Sequence, residues 1–363
     1  MNKTIKIPKI AGISIAVHWT FSLLIAWIII TNLMAGLNAL EIGWMILFIL
    51  SLFACVTLHE LGHALAARKF GIKTKDITLY PIGGIARLEK IPDNPKQELI
   101  VALAGPLVNV VIMVLLLPFI MQLVNNVEGE PETLLRINHS NFLPMLGFLN
   151  VWLAVFNLIP AFPMDGGRVL RALLSMKLDR VRATEIASSI GKMLAVGFVF
   201  FGLYTNPFLI FIGLFIFLGA HAESEMVKTY SALEAFTARN AMMTRYTSLD
   251  KTNTIADAIK MLLDGEAKNF LITDNGQPFG IVSRDSIIRG ISTVGDRSPL
   301  EMIASRNLVY FDVDAPLADI YKSFYEDKVP VVLVSQAGRL AGIIDAENIA
   351  ELIMISQAKG KVN

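Results

Sequence analysis

A single cysteine, Cys55, in 363 residues excludes an intramolecular disulfide framework, and its place in an apolar run marks it as a small buried side chain. Charge is scarce as well: Asp, Glu, Lys and Arg make up 17% of the chain and nearly cancel, to a net +1. Without a concentrated basic surface there is nothing to hold a phosphate backbone, so nucleic acid is excluded as a partner. Histidine is rare too, with five in the chain. What is abundant is apolar. Hydrophobic residues make up 54% of the sequence, above the usual share in water-soluble domains, and the expectation is a protein of the lipid bilayer. The first apolar run follows Lys3, Lys6 and Lys9, as in a signal peptide. It continues to Leu33 without a small-residue cleavage site and is read as an uncleaved span.

A hydrocarbon core about 30 Å thick needs about 20 apolar residues per helix, and about six stretches qualify. They are residues 13–33, 42–67, 99–124, 143–174 with a break, 186–204 and 207–222. Between the second and third lie Arg68, Lys69, Lys73, Lys75, Arg87, Lys90 and Lys96, and after the fourth Arg168, Arg171, Lys177, Arg180 and Arg182. The intervening loop has Arg136 beside Glu128, Glu130 and Glu132. Basic loops stay on the cytoplasmic side, so the chain is expected to be multi-pass in the cell membrane with both termini cytoplasmic. Residues 76–88 combine glycines with alternating apolar positions. They suggest either a small membrane-associated β segment able to take up an extended peptide or a connecting hairpin.

After residue 225 the composition changes to helix-like stretches around 254–263 and 317–325 and short strands at 269–273, 280–282, 331–334 and 342–344. Residues 270–285 and 331–347 repeat one order: strand, polar turn, Gly-apolar-apolar, then an acid opening a helix. Two such copies can bury each other's sheet faces.

The second span contains His59-Glu60-Leu61-Gly62-His63. Residues four apart share a helix face, so both imidazoles can reach one zinc ion while Glu60 approaches a water beside it. The alternative is that these groups hydrogen-bond to neighbouring helices, an expensive use of ionisable side chains in lipid. A catalytic zinc needs a third protein ligand, and Asp165 is the candidate. It follows two prolines and precedes two glycines that break an apolar span, which exposes backbone that must line a cavity. Its competing role is to cap a helix starting near Gly167, with Arg168 as a local partner. Asn157, at the head of the same break, suits either an oxyanion or substrate-backbone contact or a structural bond between helices. His18, beside Trp19, is read as tuning the site or as interfacial.

These residues resemble the site-2 protease family, whose members carry a His-Glu-x-x-His helix and a later Asn-x-x-Pro-x-x-Pro-x-Asp-Gly motif, here Asn157 to Gly166. Val17-His18-Trp19-Thr20, Pro81-Ile82-Gly83-Gly84 and Gly105-Pro106-Leu107-Val108-Asn109 extend the resemblance over the membrane half. It implies an intramembrane zinc endopeptidase that cuts the transmembrane segment of membrane-tethered substrate proteins, with His59, His63 and Asp165 on zinc and Glu60 activating water. The repeat resembles a tandem pair of cystathionine β-synthase (CBS) domains, with Met242-Met243-Thr244 leading the first copy and Gly280 to Asp285 matching that family's nucleotide motif. The resemblance implies an adenosine nucleotide, ATP or AMP, in a cleft, with Ser283 near phosphate or ribose and Asp285 on the ribose hydroxyls. The second copy has Asp345 where a hydroxyl is expected, which would repel phosphate, so one filled cleft is expected. Such pairs also serve in dimerisation, and helix capping is the competing role for Ser283.

The expected architecture is therefore a multi-pass α-helical membrane protein followed by a soluble α/β CBS pair: residues 1–225 a transmembrane zinc metalloprotease, 226–240 a linker and 241–363 the regulatory pair. The competing functions are a channel or transporter gated by the pair, and a catalytically inactive relative that binds membrane proteins.

Overall fold

The computed structural model describes residues 4–125 and 137–360, except 82, 91, 266 and 327. The loop charges Glu128, Glu130, Glu132 and Arg136 lie outside the described residues. The chain divides into two units, Met1–Glu225 and Met226–Asn363.

The first apolar stretch begins as a strand. Ile13, Ile15 and Val17 alternate with Ser14, Ala16 and His18, a period of two that suits a half-buried strand. This strand, β2 (Ile13–His18), pairs antiparallel with β1 (Thr4–Ile10) across a turn in which Ala11 and Gly12 have φ of 51° and 83°. Helix α1 (Phe21–Met34) follows as a 14-residue remainder of the expected span. The segment at 76–88 forms β3 (Thr74–Tyr80) and β4 (Gly83–Leu88), and β3 pairs parallel with β2. The expected β segment is thus half of a four-stranded sheet, ordered β1-β2-β3-β4, with β4 at an edge.

Helix α2 (Ala39–Lys69) carries the His-Glu-x-x-His motif. Asn38 and Glu41 form a capping box at its start, and Arg68 and Lys69 complement the dipole at its end. Leu61 and Ala64 of this helix pack on Ile13, Ile15, Ile77 and Leu79, so the sheet lies against the motif's turn. Then come α3 (Pro95–Asn125), α4 (Phe142–Asn157), α5 (Asp165–Ser175), α6 (Arg180–Tyr204) and α7 (Phe208–Leu233). Among the described residues four helices, α2, α3, α6 and α7, are long and apolar enough to cross a bilayer. Helices α1 and α4 are apolar but shorter, at 14 and 16 residues. The expected fourth span is therefore two helices, α4 and α5, parted by the Pro-rich break at 158–164. Trp27, Leu115, Trp152, Phe201 and Phe208 are exposed, and an apolar surface of this extent belongs against lipid.

The second unit begins within the last turns of α7 and continues with α8 (Ala238–Ala241). Its first repeat is β5 (Ser248–Asp250), α9 (Ile255–Asp264), β6 (Asn269–Asp274), β7 (Gln277–Ser283) and α10 (Arg284–Thr293). The second is β8 (Tyr310–Asp312), α11 (Leu317–Glu326), β9 (Val331–Gln336), β10 (Arg339–Asp345) and α12 (Ala346–Gly360). Each repeat forms a three-stranded sheet of the same order, one neighbour of the middle strand parallel and the other antiparallel. Leu271 and Ile281 of one sheet pack with Val331, Leu333 and Ile343 of the other, as the repeat requires.

Candidate metal centre

His59 and His63 lie one turn apart on α2 and are buried. Asp165 is the first residue of α5, and the N-cap position belongs to Met164, which makes no side-chain cap bond. The carboxylate of Asp165 is turned to the histidines: its Oδ2 lies 3.1 Å from Nε2 of His59 and 3.1 Å from Nε2 of His63. The two Nε2 atoms are themselves 3.1 Å apart. The structure thus brings the three residues together and does not use Asp165 as a cap.

The far side of each ring decides what these nitrogens carry. Nδ1 of His63 lies 2.7 Å from the carbonyl oxygen of Val101, which can only accept, so Nδ1 holds the hydrogen. Nδ1 of His59 bonds Oδ1 of Asn109. That oxygen is fixed as an acceptor by a relay: Nδ2 of Asn150 donates to the Leu146 carbonyl at 2.8 Å, and Nδ2 of Asn109 donates to Oδ1 of Asn150 at 2.8 Å. In the neutral form both imidazoles therefore present bare Nε2 lone pairs to one carboxylate oxygen. In that form three electron-rich atoms at 3.1 Å repel one another unless a metal cation or a shared proton stands among them. His59, His63 and Asp165 would hold the ion through these three atoms, two imidazole nitrogens and one carboxylate oxygen, which is the usual protein donor set of a catalytic zinc. The donor set fits zinc.

Space for the rings comes from α3. A Cβ on Gly105 would lie 2.1 Å from Nε2 of His63 and 2.6 Å from Nε2 of His59, so only glycine leaves room there. A Cβ on Gly62 would lie 2.8 Å from the Ala104 carbonyl oxygen, so α2 and α3 meet nearly backbone to backbone. Glu60 is held from the sheet: its Oε2 accepts the backbone N–H of Ala86 at 3.2 Å. Strand β4 comes that close because Gly84 lacks a side chain; a Cβ there would lie 2.8 Å from Cγ of Glu60.

Asn157 is not drawn into the cluster. Its Nδ2 donates to the Leu153 carbonyl of its own helix at 2.9 Å. His18 bonds Thr20 Oγ1 at 2.8 Å and lies against Tyr80, and no contact with the metal residues is found among the described residues. Sequence reading missed the roles of Asn109, Asn150, Gly105 and the Val101 carbonyl. The two asparagines left a signal, since an amide in an apolar span is costly and asks for a partner.

Residues 47–135 and 120–198 match the sequence profile of Peptidase family M50. A zinc metalloprotease of Methanocaldococcus jannaschii is 35% identical over 360 residues, covering 99% of this chain and 98% of that protein. This chain belongs to peptidase family M50. The M50 peptidase is thereby a metalloendopeptidase of the site-2 protease type and a multi-pass membrane protein, and zinc is the metal its family implies. Stage IV sporulation protein FB of Bacillus subtilis is 31% identical over 139 residues, which is 38% of the M50 peptidase and 44% of that protein. A solved site-2 protease from Methanocaldococcus jannaschii has 42% identity and a TM-score of 0.44, covering 61% of this chain and 95% of that one. Residues 238–293 and 300–355 match the CBS domain profile, so the M50 peptidase also carries a tandem CBS pair.

In that pair the strand-to-helix segments of both repeats open onto one cavity of about 420 Å³, lined by Lys268, Asn269, Ser283, Arg284, Asp285, Pro330, Asp345, Ala346 and Glu347. Ser283 caps α10, its Oγ accepting the N–H of Ser286 at 3.3 Å, and Asp345 caps α12 through Asn348 at 3.1 Å. Lys268 pairs with Glu347 across the repeats. The two motifs are thus reciprocal walls of a shared space.

Proposed function

We propose that this M50 peptidase hydrolyses a peptide bond within the transmembrane segment of membrane-tethered proteins, with His59, His63 and Asp165 on one zinc ion and Glu60 as general base. The observation that carries the reading is the convergence of two imidazole nitrogens and one carboxylate oxygen, each 3.1 Å from the others, from two separate helices. When bound, zinc supplies Lewis-acid polarisation of water and of the scissile carbonyl. Glu60 takes the proton of the attacking water on its carboxylate and delivers it to the leaving amine. A helical substrate shields its own peptide bonds and must unwind first, so helix-weakening residues near the cut favour cleavage. Edge strand β4 supports a docking mode for the unwound chain. The Ala86 N–H already points from that edge to Glu60, so a peptide laid along β4 runs beside the base. Asn157 has one amide hydrogen committed to Leu153 and keeps a second for substrate backbone. On this reading both termini are cytoplasmic, which the basic loops favour.

Removal of metal tests the reading. Dialysis of detergent-solubilised protein against a chelator is expected to abolish cleavage of a tethered reporter, and one equivalent of zinc to restore it. Cleavage that persists in metal-free protein, verified by elemental analysis, refutes it.

Residues 241–363 are, on the same reading, a regulatory unit joined by a linker at 226–240, able to pair two copies of the chain. An adenine nucleotide, AMP or ATP, is its proposed ligand, with Ser283 at phosphate or ribose and Asp285 on the ribose hydroxyls. The shared cavity supports one nucleotide per pair, because the corresponding segments of both repeats line the same space. Calorimetric titration of the full chain with AMP should give one site per chain. Asp285→Ala should weaken it about tenfold or more, the worth of a charge-assisted hydrogen bond. No heat at millimolar AMP and ATP would remove the nucleotide from the account.

A further inference from the structure

Helix α5 presents the aspartate of the cluster, yet it has 11 residues and follows a broken segment, so no continuous helix fixes its position. Its anchor lies six residues after Asp165. Arg171 is fully buried, at 0% exposure, and Glu98 on α3 is 3% exposed. The Arg171 guanidinium donates from Nε to Glu98 Oε1 at 2.8 Å and from Nη1 to Glu223 Oε1 on α7 at 2.5 Å. It also lies over the ring of Phe162, 5.1 Å from the centroid, in the break that leads to Asp165. Arg180 stands 3.9 Å from the second oxygen of Glu98, and Arg168 also acts electrostatically on Glu98 and Glu223.

Such a cluster is a poor source of net stability, because desolvating the charges costs about what their attraction returns. What it supplies is position. Glu98 lies one helical turn before Val101, whose carbonyl orients His63, and on the helix that carries Gly105 and Asn109. Arg171 therefore locks the helix bearing Asp165 to the helix that orients both histidines.

From this juxtaposition we infer that Arg171, through Glu98 and Glu223, is the positioning residue that sets the Asp165 carboxylate against the two imidazoles. The inference rests on the zinc assignment proposed above. A carboxylate ligand must stay within about 0.5 Å of its productive place, and losing an outer-shell partner commonly weakens metal binding about 10- to 100-fold.

The test uses the full chain in detergent, with zinc affinity measured by chelator competition, the visible spectrum of the cobalt-substituted protein, and thermal stability. Arg171→Met should lower zinc affinity about 10- to 100-fold and shift the cobalt spectrum, and Arg171→Lys should recover part of both. The neutral triple variant Arg171→Met, Glu98→Gln, Glu223→Gln leaves no charge unpaired among these three. It should regain thermal stability and not metal affinity. Wild-type affinity and spectrum in the triple variant, or affinity losses that merely follow the melting temperature across the series, would overturn the positioning role. If Arg171→Met does not fold, the lysine and triple variants decide by the same criteria. Wild-type protein without stoichiometric zinc would instead remove the metal assignment itself, so the two failures are distinct.

Discussion

Glu60→Gln is expected to lower the cleavage rate about 10²- to 10⁴-fold, the usual worth of a general base, with zinc content unchanged. The amide is close to isosteric and its oxygen can still accept the Ala86 N–H, so the side chain stays in place. What it loses is the ability to take a proton. His59, His63 and Asp165 are untouched, so metal stoichiometry separates loss of the base from loss of the ion. Single-turnover cleavage of a tethered reporter in liposomes, beside elemental analysis of the same preparation, makes the comparison. Cleavage within threefold of wild type would show that another group moves the proton.

Gly105→Ala should abolish zinc binding and cleavage together while the protein remains folded. The added methyl would stand 2.1 Å from Nε2 of His63, 2.5 Å from its Cε1 and 2.6 Å from Nε2 of His59. Two atoms that must meet the metal are thus displaced by one carbon. The overlap with the buried imidazoles persists without metal, so the gain of about 0.5–1 kcal/mol from alanine in a helix is outweighed by about 1–3 kcal/mol of overpacking, and the metal-free protein should melt a few degrees below the metal-free wild type. Gly197→Ala on α6 is the control, since nothing lies within 4 Å of the Cβ it would gain, and its zinc content should match wild type. A Gly105→Ala protein with full zinc would mean that the imidazoles do not occupy the space α3 leaves for them.

The parts of this site visible in the sequence are those whose geometry is local. Histidines four apart on a helix share a face in any fold, and prolines with glycines in an apolar run break the helix wherever it sits. The CBS repeat was legible for the same reason, strand and helix following each other at short range. A misreading arose where locality was ambiguous. Residues 13–18 are apolar enough to extend a span, and only their alternation, together with a parallel partner 62 residues later in β3 (Ile15 opposite Ile77), makes them a strand. The break expected within residues 143–174 is present and separates two helices, Phe142–Asn157 and Asp165–Ser175.

Residue types and their spacing alone determined that this chain would bring two imidazoles, a neighbouring carboxylate and a broken apolar segment into apolar spans, and carry a paired α/β unit behind them. Tertiary structure decided which distant atoms complete them. Asn109 lies 50 residues from the histidine it orients and Asp165 lies 106 residues from it. Glu98 lies 73 residues before Arg171. Contacts across such separations follow from which helix faces pack together, and no spacing rule along the chain encodes that choice. The physical reason is that helix periodicity repeats every few residues, whereas the close approach of α2 and α3 depends on where two backbones, bare at Gly62 and Gly105, can touch.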